Sequence, residues 1–171
     1  MFTIPSPLHP ALVHFPIVLI LAGTAAAVVA IFIRRWHLPW LAAGLMVAGA
    51  AGAAAATWSG EEDGELAGEL SPQAEQILDE HEEWGERTRN LAILSGLLAV
   101  GAVVAIRIPT VSRGAGIAAA VAGMAASYAV AETGHYGGLL VYKHGVGVNT
   151  AAGTAPAAAQ PAPPATTRQN D

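Results

Sequence analysis

The stretch ALVHFPIVLILAGTAAAVVAIFIRRW, residues 11–36, decides the fold. From Ala11 to Ile33 it runs 23 residues without an Asp, Glu, Lys or Arg, and about 20 such residues on a helix cross the hydrocarbon core of a bilayer. It closes on Arg34, Arg35 and Trp36, the basic and aromatic pairing of a membrane–water interface. The run is too long for the core of a cleavable signal peptide, and no Lys or Arg precedes it, so it reads as a retained anchor.

Three further apolar blocks follow. A turn through His37, Leu38 and Pro39 leads to Trp40, and about Leu41 to Thr57 is almost pure Ala, Gly, Leu and Val, ending at Trp58. The third block, about Asn90 to Ile106, stops at Arg107 and Pro109, and the fourth runs from about Gly114 to Ala131. Across the chain 53% of residues are hydrophobic and 12% charged, about half the charged fraction of a soluble domain. The expected fold is all-α: a four-helix transmembrane bundle in a lipid bilayer. Frequent glycines and alanines allow close antiparallel packing, because membrane helices associate by fit rather than by hydrophobic exclusion.

Outside the spans the pattern changes. The segment Ser59 to Arg89 carries eleven of the thirteen carboxylates, and such a run is most often a solvated face. Part of it is periodic: Ser71-Pro72 is a good helix start, and Ala74, Ile77, Leu78, His81, Trp84 and Gly85 recur at helical spacing. This predicts an outer amphipathic helix before helix three, with His81 facing inward. After helix four, Thr133 to Val148 is a Gly-rich segment with two histidines and two tyrosines, readable as a re-entrant hairpin at the interface. Residues 1–148 form one transmembrane domain, and residues 149–171, rich in Ala and Pro, form a disordered tail.

Arg34, Arg35, Arg107 and Arg113 flank one side of the bundle, with Arg87, Arg89 and Lys143 on the other. The first group sits in very short loops, where the positive-inside rule works best. The expectation is a multi-pass protein of the bacterial inner membrane with both termini extracytoplasmic. There is no cysteine, which removes disulfides, thiolate ligands and cysteine nucleophiles. No phosphate loop, hydrolytic nucleophile arrangement or basic nucleic-acid surface is present.

Helix parity puts five of the six histidines on one side. His9 and His14 begin helix one, His81 precedes helix three, and His135 and His144 follow helix four, while His37 lies opposite. Singly, each reads as a cap or an interfacial residue; together they suggest a site, because ionisable groups at membrane depth are costly and imidazole is the commonest metal ligand. His14 is the strongest candidate, since Pro10 places it about 6 Å into the helix and Pro16 bends the chain beside it. His9, about 140° away around the helix, is expected to point elsewhere.

The opening LHPALVHFP, residues 8–16, and the closing GHYGG, residues 134–138, followed by LVYKHGVGV, residues 140–148, carry a resemblance. The chain resembles the bacterial four-helix membrane family catalogued as domain of unknown function 2231, over roughly residues 7 to 148, including His81-Glu82. The resemblance implies the fold and a kinship with proteins fused to haem-bearing cytochrome domains. The family's motif histidines correspond here to His9, His14, His81, His135 and His144.

Two chemistries and one structural role follow. One is a b-type haem held by two histidines among His14, His81, His135 and His144, passing electrons to or from a cytochrome or other redox protein. Another is a non-haem centre of copper, zinc or iron on three or four imidazoles, His9 included, with Glu82 or Glu132. In the third, the polar cluster welds the bundle together as a structural subunit without cofactor.

Overall fold

The structure is a computed structural model, and it describes residues 9–33, 35, 37–65 and 69–148. The Ala/Pro-rich tail expected from residue 149 lies outside the described residues. Helix α1, His9–Leu12, and helix α2, His14–Phe32, meet at a turn on Val13 and make one 24-residue span. Helices α3 (His37–Glu65), α4 (Pro72–Val104) and α5 (Pro109–His144) follow. All four spans are long and apolar enough to cross a bilayer, and no strand occurs among the described residues. Helix α2 packs on α3, α3 on α4, α4 on α5, and α5 back on α2, closing an up-and-down ring.

The packing is that of a protein in lipid. Small residues fill the inside: Ala27, Ala42, Ala43, Ala99, Ala119 and Ala120 surround Met46 in one cluster, and Ile20, Ala53, Ala92 and Ala126 form another. Large apolar side chains face out, with Phe15 67% and Leu97 67% exposed. In water this arrangement would be unstable, but in hydrocarbon the outward leucines cost nothing and the gain comes from close fit. Gly123 shows how close. A Cβ there would lie 2.6 Å from Thr24 Oγ1 and 2.9 Å from Met46 Cε, so α5, α2 and α3 meet where a methyl group has no room.

The helices outrun their apolar blocks. The amphipathic segment before helix three is not a separate element but the first third of α4, capped by Ser71, whose hydroxyl accepts the Ala74 N–H at 3.3 Å. The Gly-rich segment is likewise helical, so the hairpin reading is corrected: α5 continues through His144 and ends on Gly145, whose φ of 67° is left-handed. Hydropathy marks where lipid stops, whereas a helix stops where its hydrogen bonds find another partner. Gly134, Gly137 and Gly138 lower helix propensity by only about 1 kcal/mol each, and packing on α4 offsets that. Helix α3 also runs past Trp58 to Glu65.

Counting 1.5 Å per residue from the short loops on the arginine side sets depth. Trp84 and Tyr128 stand 20 and 19 residues along their helices, about 30 Å away, at the far edge of the hydrocarbon core. Their rings pack edge-on at 5.8 Å, with the Arg87 guanidinium 4.6 Å over Trp84. This is an aromatic belt of the kind found at interfaces.

Candidate two-histidine site

One level beyond that belt, four residues from four helices reach the same height. His9 is 23 residues from Phe32, Gly60 is 23 from His37, His81 is 23 from Val104, and Thr133 is 24 from Pro109, all about 35 Å from the arginine side. By this count the site sits just outside a hydrocarbon core of about 30 Å, at the interface, where polar groups are tolerated.

His9 is fixed from both ends. Its backbone N–H donates to Asp63 Oδ2 at 2.8 Å, which places a carboxylate on the positive end of the first helix. Its ring Nδ1 lies 2.8 Å from the Ala56 carbonyl and 3.3 Å from Ser59 Oγ, and Ser59 Oγ–H donates to the same carbonyl at 3.0 Å. A carbonyl only accepts, so the His9 proton is on Nδ1. Helix α3 supplies all three partners, Ala56 from the end of its apolar block and Ser59 and Asp63 from its extension past Trp58.

His81 is held in the same manner. Its Nδ1–H donates to the Thr133 carbonyl at 2.9 Å. Below it, Thr133 Oγ1–H donates to Ala129 O at 2.8 Å, and the Thr88 and Thr133 hydroxyls are 3.1 Å apart. With Nδ1 the donor on both rings, Nε2 is the nitrogen that the neutral tautomer would leave free, and it has no hydrogen-bond partner among the described residues. The two ring centres are 6.0 Å apart, with planes at 88°.

Glycine makes room for each ring. A Cβ on Gly60 would lie 3.0 Å from His9 Cε1, and one on Gly137 would lie 3.0 Å from His81 Cε1. Both histidines line a cleft of about 800 Å³ between the helices, within the range of about 300–1,000 Å³ typical of small-molecule and cofactor sites. Pro16, Ile17, Ile20, Ala53 and Val130 make its apolar wall, and Glu61, Asp63, Asp79, Glu82, Glu83 and Glu86 its acidic rim.

The other histidines stand elsewhere. His14 is exposed on the outside of α2, because the rotation of about 140° that separates it from His9 turns it away once His9 faces the cleft. His135 is exposed beside Tyr136, ring centres 5.4 Å apart. His144 lies in the last turn of α5, its Nε2 buried with no hydrogen-bond partner among the described residues. Being nine residues apart on one helix, His135 and His144 point to opposite sides. Of the five histidines that sequence put on this side, the structure brings together His9 and His81. No group of three or more His, Asp or Glu side chains suited to a metal ion occurs among the described residues.

The signals that sequence reading passed over are the carbonyls of Ala56 and Thr133, which no side-chain pattern reveals, and Asp63, hidden inside a charge run. Gly60 and Gly137 were visible as letters but not as neighbours of imidazoles.

The four spans and the histidine-bearing ends agree with one comparison. The family model described as "Predicted membrane protein (DUF2231)" matches residues 5–150. The chain belongs to this family. The match spans every described helix, so the DUF2231 domain and the bundle are the same unit. No curated protein matches the chain, and no solved structure does.

Proposed function

We propose that this DUF2231 protein is a membrane-embedded b-type haem protein that passes electrons at its acidic face, with His9 and His81 as the two axial residues. The observation that carries the reading is the pair of imidazoles from different helices, each with Nδ1–H tied to a main-chain carbonyl and Nε2 left bare. Metal-binding histidines almost always donate their other ring N–H in this way, which fixes tautomer and ring orientation. The two rings, from different helices, have their centres 6.0 Å apart, so His9 and His81 would be the residues to hold the group.

Ligand count separates haem from a bare ion. Copper, zinc or iron alone needs three or more protein donors, and no group of three or more His, Asp or Glu side chains suited to a metal ion occurs among the described residues. His9 and His81 would suffice to hold a haem, which would supply reversible one-electron chemistry when bound. The acidic rim opposes the negative propionates, but at an open mouth that repulsion is screened by water and salt; a missing ligand has no such substitute. The same rim would steer a basic redox protein toward the cleft.

A structural reading is favoured by one observation: the two hydrogen bonds tie α1 to α3 and α4 to α5. Purification in detergent from haem-replete cells separates the cases. The expected result is a haem absorption spectrum at one haem per chain that shifts on reduction. Protein with neither haem nor stoichiometric metal would leave the histidines as helix ties.

The localisation proposed is the bacterial inner membrane, with the histidine side extracytoplasmic. Because the chain has no cysteine, single-cysteine variants report cleanly. Ser71→Cys should react with an impermeant thiol reagent on spheroplasts and His37→Cys should not; labelling at position 37 alone would invert the orientation.

A further inference from the structure

At the opposite end of the bundle stand Arg35, Arg107 and Arg113, with no carboxylate at that end among the described residues. Every Asp and Glu from Glu61 to Glu132 belongs to the histidine side, and Glu132 is 23 residues along α5, about 35 Å away. Arg35 and Arg113 form no ion pair among the described residues. Both line a second cleft, of about 270 Å³, whose other walls include Ile31 of α2, Pro39 of α3, Ile106 and Ala99 of α4 and Gly116 of α5.

We propose that this cleft is a binding site for an anionic phospholipid, with the headgroup phosphate between Arg35 and Arg113 and the upper acyl chain against the apolar wall. Charge complementarity points to the headgroup. Two guanidiniums at a membrane surface with no counter-ion among the described residues attract anionic lipid by about 1 kcal/mol each, and arginine's planar fork matches phosphate oxygens in pairs. The wall points to a lipid rather than a free anion. Ile31, Pro39 and Ile106 offer nothing to a hydrated phosphate ion, while a chain laid between helices displaces water from them. Basic pockets between transmembrane helices are where acidic lipid headgroups settle.

The test uses the full chain, purified and delipidated in neutral detergent, with dioleoyl phosphatidylglycerol, dioleoyl phosphatidylcholine and inorganic phosphate as separate probes. Binding by native mass spectrometry should favour phosphatidylglycerol about thirtyfold, the equivalent of two basic contacts. Inorganic phosphate should neither bind nor raise the unfolding temperature. The preference should vanish in Arg35→Gln/Arg113→Gln and persist in Arg107→Gln, whose arginine is exposed at the same end but outside the cleft. Equal binding of the two lipids, protection by inorganic phosphate, or a preference retained in the double variant would each overturn the proposal. Should the double variant not fold, photo-crosslinking phosphatidylglycerol to the wild type decides: adducts near Ile31 and Gly116 support the site, and adducts confined to outward faces of the helices reject it.

Discussion

Alanine at His9 or at His81 should abolish the proposed haem binding in the purified protein, each change alone being sufficient. His9 and His81 would be the two residues that hold the haem, and no group of three or more His, Asp or Glu side chains suited to a metal ion stands beside them among the described residues. His14→Ala, His135→Ala and His144→Ala should keep the spectrum, because none of the three lines the cleft. The measurement is haem per chain after purification, across all five variants. A normal haem content in His81→Ala would remove the proposed pair, and loss in His14→Ala would move the site to the outer surface of α2. Loss of the tie itself has a separate signature. Each alanine also removes one hydrogen bond between helices, which lowers stability by about 0.5–1.5 kcal/mol. Added free imidazole should restore the haem spectrum of His81→Gly without restoring its melting temperature, since the free base is not tethered to α4.

Two neighbouring glycines on α5 should respond to alanine with opposite signs. At Gly138 a Cβ meets nothing within 4 Å, so Gly138→Ala gains helix propensity and should stabilise by about 0.5–1 kcal/mol. At Gly137 the new methyl would press on His81, 3.0 Å from Cε1 and 3.3 Å from Nδ1. A free side chain would swing aside, but this imidazole is held to Thr133 O at 2.9 Å and stands beside the His9 ring. The ring must give up its hydrogen bond or α5 must move off α4, and overpacking of that kind costs about 1–3 kcal/mol. Gly137→Ala should therefore unfold earlier than wild type in a denaturant series in detergent and carry less haem. Equal stability of the two alanine variants would mean that His81 is not clamped as the geometry has it.

The depth of the pair explains why it was half legible. Counting spans puts His9, His14, His81, His135 and His144 on one side with no coordinates, because side depends on parity alone. Which of them converge depends on rotation about each helix axis, and in this chain that rotation is set by small residues. Alanine and glycine face inward while large apolar residues face lipid, so neither face is more polar than the other and the usual amphipathic signal is nearly absent. His14, a residue within a span next to a proline, looked the better ligand for that reason; the contacts of α1 with the end of α3 turn His9 to the cleft instead.

Sequence by itself determined the solvent, the number of spans, the two charged ends, the Ser71 helix start and membership in a motif-bearing family, since each follows from local composition or from short motifs. Tertiary structure alone decided how far the helices run, that the Gly-rich segment is the end of α5, and that His9 and His81 are the histidines that meet. The physical reason is that helix length and helix rotation are set by what the next helix offers across the gap. Here that is an Asp63 carboxylate and the Ala56 carbonyl for His9, the Thr133 carbonyl for His81, and two glycines that leave each ring its space.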